Sequence, residues 1–396
     1  MPKNLKITAV ICEFNPLHKG HAWLLEQAKQ ENEGVICVLS GNFVQRGDGA
    51  ILDKWARTRL ALEHGADLVI ELPLSWACAG AERFAAGGVA LANALGCAES
   101  LTFGCETEDV DLLENIVQAL LSAGFSEKLK GLPDDGSPFA KRRELVLTEM
   151  LGEPVVPILQ SPNAILGVEY IKAIRQQSSP MRPIAVLRRG ADHDSIADDG
   201  EFHSASALRA KLLAGEDVSA YLPEGTAEMI GTLKDTGAFP CDLKLLDRSV
   251  LCKLRSMTLE EFAALPDVSE GLEHRLYAAA RQAGSLEEFY ASVKSKRYSH
   301  ARIRRLTLYA FLGVRSPLPA LPPYLRVLGM SDIGEEILRL GTAKLPIIAR
   351  GKDAERLCKQ SQDVFSLECR ADDLYGLAAP IPRPCGRDFT EKLVRI

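Results

Sequence analysis

None of the ten cysteines forms a C-x-x-C pair, and none has a histidine nearby at zinc-finger spacing. A structural zinc site is therefore not expected. The cysteines, Cys12, Cys37, Cys78, Cys97, Cys105, Cys241, Cys252, Cys358, Cys369 and Cys385, read instead as small buried thiols in a reducing compartment. Long apolar runs are also missing. The longest uncharged stretches, 84–98 and 154–168, are too short to span a bilayer and are broken by glycine, proline or asparagine. The N-terminal MPKNLKITAV runs straight into a strand without the apolar core of a signal peptide. A cytoplasmic protein with no membrane partner is expected. Basic charge is in deficit as well, with Lys and Arg numbering 47 against 53 Asp and Glu, a net charge of −6. The molecule as a whole does not attract polyanions, so a nucleic-acid partner would need a local basic patch. Internal repeats and low-complexity tails are absent.

What remains is ordinary globular composition, 46% hydrophobic and 25% charged over 396 residues, a length suited to two or three domains. The first half alternates short apolar runs with amphipathic segments. Strands are predicted at 7–12, 35–39, 67–72, 100–103 and 183–187, each nearly continuous in apolar residues, as expected for strands covered on both faces. Helices are predicted at 22–30, 55–64, 81–95, 110–122, 139–151 and 164–175. Such a βαβ series implies a doubly wound parallel sheet of Rossmann-like type, with ligands beyond the C-terminal strand ends near the switch point in strand order. Beyond about residue 215 the rhythm fades into a mostly helical region. A proline cluster at 317, 319, 322 and 323 precedes a last segment with a helix near 333–340 and a possible strand at 346–349. The expected division is 1–215, 216–320 and a small C-terminal domain, 321–396.

The sharpest chemical signal is ITAVICEFNPLHKGHAWLLEQAK, where a strand runs through a turn into a helix that opens with His18, Lys19, Gly20 and His21. A helix N-terminus presents unpaired N–H groups and partial positive charge, which suits a phosphate chain. Gly20 leaves room for close approach, and two imidazoles can donate to phosphate oxygens as charge moves to a leaving pyrophosphate. An ordinary turn with two histidines is the plain alternative, but the strand–turn–helix setting favours nucleotide binding. A second element, SASALR (204–209), also opens a helix. Alone it is an N-cap followed by an arginine.

Together, H-x-G-H after the first strand and SASALR resemble the nucleotidylyltransferase superfamily, which includes class I aminoacyl-tRNA synthetases. In that superfamily the second element holds phosphates, here through Ser204, Ser206 and Arg209. Longer stretches narrow the resemblance. SGNFVQRGDGAILDKWARTRLALEHGADLVIELP (40–73), FGCE (103–106), QSPNAILGVEYIKAI (160–174), RRGADHD (188–194), EGLEHRLY (270–277) and SKRYSHARIRRL (295–306) are similar to the tRNA(Met) cytidine acetate ligase family over nearly the whole chain. Leu17 and Lys19 stand where that family usually has Phe and Asn. The resemblance implies ATP as cosubstrate, with Mg2+ expected. It also implies activation of acetate to acetyl-adenylate and acetylation of N4 of the wobble cytidine of elongator tRNA(Met), with no obligate protein partner. Carried over by position, the ATP-binding set is Val10, Ile11, Cys12, Glu13, Phe14, Asn15, Pro16, Leu17, His18, Lys19, Gly20, His21, Ala22, Trp23, Gly104, Asn163 and Arg188, with Arg189 as a neighbour that shares the role. His18 and His21 are the catalytic candidates.

Asn163, after Ser161 and Pro162, fits either an N-cap or a contact to ribose or phosphate. Asp53 fits a cap and Trp55 the core, whereas Arg46 and Arg57 suit phosphates or a solvated surface. The run Lys294, Lys296, Arg297, Arg302, Arg304, Arg305 contains no acid and includes Tyr298 and His300. In an acidic chain it points to an RNA-backbone contact through Lys296, Arg297, Arg302, Arg304 and Arg305, against the alternative of a solvated helix face. Lys141, Arg142 and Arg143 form a smaller cluster. Two rival functions remain at this level: a small-molecule adenylyltransferase, and a non-catalytic factor that binds ATP and RNA.

Overall fold

Apolar runs too short for helices and covered on both faces can only satisfy their backbone groups by pairing side by side. In the computed structural model, which describes residues 5–133, 136–188, 203–269 and 271–396, they do so as β1 (Ile7–Cys12), β2 (Gly34–Ser40), β3 (Phe43–Val44), β4 (Asp48–Gly49), β5 (Leu68–Leu72), β6 (Ser100–Cys105), β7 (Arg182–Leu187), β8 (Leu325–Met330), β9 (Ile347–Ile348) and β10 (Val394–Arg395). β3 and β4 form a separate two-stranded ladder; the others make one sheet in the order β10-β8-β5-β2-β1-β6-β7, with β9 also paired to β8. From β5 to β7 all pairings are parallel. β1 leads to β2 and β5 on one side, and to β6 and β7 on the other, so the order reverses at the β1/β6 boundary.

The five expected strands of the first half are all present, within two residues at each end. Helix Phe139–Leu151 falls where predicted, and helix Lys19–Glu31 starts three residues earlier than expected because His18 caps it. The strand expected at 346–349 is the short β9. β8 is the element that sequence patterning passes over. It runs antiparallel to β5, so the segment 321–396 completes the sheet begun by the first half. Its six residues are all buried, including Arg326, whose charge disguises a core strand.

Helices cover both faces, and glycine permits the closest approach. A Cβ at Gly88 in helix Ala81–Ala94 would lie 2.5 Å from Ile11 of β1. The helical region packs around Leu254, Phe262, Leu276, Phe289 and Leu306, in one cluster with Phe43, Leu74 and Tyr375. Its core is thus continuous with loops of the first half.

A buried charged network ties the halves together. Lys54 Nζ lies 2.9 Å from Glu71 Oε1 and 2.8 Å from Asp388 Oδ1, with all three side chains at most 3% exposed. Glu368 accepts from Leu74 N–H, and Asn42 donates to Asp372. Removing one partner from such a set leaves a buried charge uncompensated.

Cys252, Cys358 and Cys385 are exposed, which corrects the uniform reading of the cysteines as buried. The correction follows from position: these three lie on helix surfaces or loops rather than in strands. Among the described residues no helix is long and apolar enough to cross a membrane.

Candidate active site

The cleft forms where a doubly wound sheet provides one, at the C-terminal ends of β1 and β6 beside the reversal in strand order. It holds about 1060 Å³ of empty space, part of it open to solvent. β1 ends at Cys12, and Phe14 follows with a φ of +46°, a strained backbone for a bulky residue. The chain then turns through a cis Asn15–Pro16 bond. Asn15 Oδ1 accepts from Ile51 N–H at 2.8 Å, which anchors the turn.

His18 is the N-cap of the next helix. Its Nδ1 accepts from Gly20 N–H at 3.0 Å. An imidazole that accepts at Nδ1 carries its proton on Nε2, so His18 is a donor at Nε2. Burial, helped by the Arg188 guanidinium, lowers its pKa to about 3, and the ring is neutral near pH 7. The His21 ring stacks on His18 with centroids 3.8 Å apart.

SASALR reaches the same place. Ser204 caps helix Ala205–Leu213 by accepting from Ala207 N–H. Arg209 donates from Nη1 to Asn15 O at 2.7 Å and from Nη2 to Ser206 Oγ at 3.2 Å. Glu13 Oε1 accepts from Gln45 N–H, and burial raises the Glu13 pKa against the pull of Arg209, Arg57 and Arg46.

The opposite wall comes from β6 and helix Pro162–Gln176. Ser161, not Asn163, holds the N-cap position of that helix and makes no side-chain cap bond. The Glu106 carboxylate serves the helix end instead, accepting from Ala164 N–H at 2.7 Å and from Asn163 Nδ2 at 2.6 Å. The N-cap alternative for Asn163 is thereby removed. Glu106 also draws on Arg188, whose pKa burial lowers.

Of the candidate residues, Ile11, Cys12, Glu13, Phe14, Asn15, His18, His21, Gly104, Asn163, Arg188, Ser206 and Arg209 line the cleft. Gly20 and Trp23 line a smaller cavity that shares His18, His21 and Arg188 with it. Val10 and Leu17 are wholly buried in the core on the β1 side, so their side chains do not reach the cleft. Pro16 in the turn, Lys19 and Ala22 in helix Lys19–Glu31, and Ser204 at the start of helix Ala205–Leu213 do not line either cavity. Arg189 lies outside the described residues.

Sequence reasoning missed Glu106, although it ends the quoted FGCE, and the apolar wall of Leu24, Phe84, Phe103, Leu166 and Tyr170. Arg46 lines the cleft, whereas Arg57 is fully buried and donates to the carbonyls of Glu13, Ser40, Gly41 and Leu52. Asp53 caps helix Lys54–Glu63 and pairs with Arg387; Trp55 is core.

The basic run divides. Arg302 donates to Asp267 O, and Arg305 donates to Gln45 O. Arg304 faces Asp48 at 3.9 Å, and Lys296 and Arg297 lie in the loop before helix His300–Leu312. Tyr298 is buried. In the smaller cluster, Arg142 donates to the carbonyls of Leu129, Leu132 and Pro133, and Arg143 pairs with Glu169. The turn at Gly136, just before it, approaches Arg297.

Known proteins agree with this architecture. A family model described as HIGH Nucleotidyl Transferase matches residues 5–388. A tRNA(Met) cytidine acetate ligase of Thermoanaerobacter sp. (strain X514) is 35% identical over 402 residues, covering 98% of this chain and 100% of that protein. One from Caldanaerobacter subterraneus subsp. tengcongensis is 37% identical over 388 residues, covering 94% and 96%. The crystal structure of Thermotoga maritima TmcAL in apo form I superposes with a TM-score of 0.93 at 32% identity, over 99% of this chain and 100% of that one. The same protein bound with alpha-thio ATP gives 0.91 at 31% identity, over 99% of both.

Proposed function

The chain belongs to the tRNA(Met) cytidine acetate ligase family of HIGH nucleotidyl transferases, and from that premise we propose that it is an ATP-dependent ligase that joins acetate to N4 of the wobble cytidine of elongator tRNA(Met). The observation that carries the reading is the meeting of HKGH and SASALR in one cleft through the bond from Arg209 to Asn15.

In this reading, ATP lies across the ends of β1 and β6. The apolar wall of Phe84, Phe103 and Leu166 takes the adenine, and Asn163 and Arg188 hold the ribose and phosphates. An acetate oxygen attacks the α-phosphorus, the bond to the bridging oxygen breaks, and pyrophosphate leaves. The chain needs no covalent nucleophile for this step. It positions the reactants and meets the developing charge with His18 Nε2–H, His21, Arg209 and the N-terminus of helix Ala205–Leu213. Cytidine N4 then attacks the acetyl carbon, the C–O bond to AMP breaks, and one N4 proton passes to water. Glu13 is the carboxylate that lines the cleft, but burial raises its pKa and Gln45 N–H occupies its Oε1, so magnesium would be held mainly by the ATP phosphates. Residues 1–215 bind ATP, 216–320 dock tRNA through Lys296, Arg297 and Arg304, and the protein works in the cytoplasm without an obligate protein partner.

ATP–pyrophosphate exchange with a panel of small carboxylates tests the proposal. Exchange should require acetate and fall steeply by butyrate, and [14C]acetate should appear on tRNA(Met) cytidine. Exchange without any carboxylate, or acetate-independent AMP transfer to a small acceptor, would replace the ligase with an adenylyltransferase.

A further inference from the structure

A second cavity, with about 890 Å³ of empty space partly open to solvent, lies between the loop 47–51, the segment 241–250 and the helices Leu286–Val293 and His300–Leu312. It shares one residue with the ATP cleft, Arg209. On its other side it includes Arg304, from the basic run. The two cavities are electrostatically joined, since Asp48, Glu13, Arg46 and Arg304 all act on the Arg209 charge. Gly47, with φ +76°, keeps this junction tight, because a Cβ there would meet the backbone N of Arg305 at 2.5 Å.

Resting on the ligase reading above, we infer that this cavity receives the unstacked cytosine of the tRNA. A base whose exocyclic amine is the nucleophile cannot reach an adenylate while stacked in an anticodon loop, so it must swing out into a protein pocket. That pocket has to adjoin the ATP site on one side and the phosphate-binding surface on the other, as Arg209 and Arg304 make this cavity do.

The walls match the base. Tyr290 and Phe311 supply aromatic surface, and Val250 and Leu308 supply apolar packing. The Arg304 guanidinium carbon sits 5.7 Å from the Tyr290 ring centroid, within range of a cation–π contact, which leaves a planar group beside the ring. Cytosine offers donors at N4 and acceptors at N3 and O2. Asp48 and Asp247 can accept from the amine, while Lys244 can donate to the acceptors. Uracil reverses donor and acceptor at positions 3 and 4, so the same walls disfavour it.

The test uses an anticodon stem–loop carrying 5-iodocytidine at the wobble position, irradiated with full-length protein and mapped by mass spectrometry. Crosslinks at Tyr290 or Phe311 are expected; crosslinks confined to residues outside the cavity overturn the inference. In parallel, acetyl transfer to tRNA is measured in single turnover for Tyr290→Ala and Tyr290→Phe, with tRNA-free pyrophosphate exchange read on each protein. Loss of one stacked base contact lowers transfer by roughly 10- to 100-fold in Tyr290→Ala, and Tyr290→Phe restores it. Unchanged transfer in Tyr290→Ala overturns the inference alone. Wild-type protein that exchanges pyrophosphate but never acetylates tRNA overturns the ligase reading and the inference with it.

Discussion

Arg209 Nη1 donates to the backbone carbonyl of Asn15 at 2.7 Å, across 194 residues of chain. The same guanidinium also donates to Ser206 Oγ within its own helix, which orients the planar fork, while the bond to Asn15 ties the turn after β1 to the helix after β7. Arg209→Lys offers one point donor where two directed bonds are needed. It should lower kcat/KM for ATP by about 10-fold or more, since Arg209 also lines the ATP cleft, and lower the thermal midpoint too, a bond to a charged donor being worth about 1.5–3 kcal/mol. Wild-type kinetics in the lysine variant would separate this contact from ATP chemistry.

His21→Ala removes the outer member of the stacked His18–His21 pair. Acetate-dependent pyrophosphate exchange should fall by about 10²–10³-fold, the usual cost of losing a donor to developing charge, while circular dichroism and the melting midpoint stay near wild type. Retained exchange in a folded variant refutes the role.

His18 makes stability depend on pH. Its folded pKa is about 3, lowered by burial, against about 6.5 in an unfolded chain. Between these values the unfolded state binds a proton that the folded state does not. Stability therefore falls as pH drops from 6.5 toward 3, with a limiting slope of about 1.4 kcal/mol per pH unit from this group. His18→Asn keeps a capping acceptor but does not titrate. Urea titrations at pH 6 and pH 4 should show the wild type losing more stability than the variant.

Asp372 works in the opposite direction. Burial raises its folded pKa to about 7, despite the opposing charge of Lys54, whereas the unfolded value is about 3.9. The folded state holds the extra proton, so this group costs stability as pH rises from about 4 through 7. Asp372→Asn should be more stable than wild type at pH 8, with the gap closing toward pH 4. A gap that does not vary with pH would contradict the assignment.

The basic run should respond unevenly. Lys296→Ala, Arg297→Ala and Arg304→Ala combined should reduce the log–log salt slope of tRNA binding by about two to three units, one or slightly less per phosphate contact. Arg302→Ala and Arg305→Ala should instead lower the melting midpoint, because those side chains donate to the carbonyls of Asp267 and Gln45. An unchanged slope in the triple variant would move the tRNA elsewhere.

How much was legible in the sequence depended on the range of the interaction. The parallel strands around β1 were readable because burial on both faces writes itself as unbroken apolar runs such as VICVL. HKGH was readable because a cap, a glycine and two imidazoles fall within four residues. Glu106 was not, since its role appears only once β6 brings it to the start of a helix 57 residues away. The Lys54–Asp388 pair spans 334 residues and places a lysine in a core, against every local expectation. β8 was hidden for a similar reason: Arg326 interrupts its apolar run, and it is met by the backbone carbonyl and the carboxylate of Asp388, 62 residues later.

That strand also sets an order of events in biosynthesis. β5 is completely buried, and one of its two flanks is covered only by β8. While the ribosome is still making the helical region, Leu68–Leu72 presents an apolar strand with unpaired backbone groups, the type of edge that recruits strands from other chains. The nascent protein must shield this edge until Leu325–Met330 emerges and docks. A chain terminated before Leu325 keeps every residue of the HKGH and SASALR elements yet should accumulate as aggregate, and supplying the missing C-terminal segment in trans should rescue its solubility.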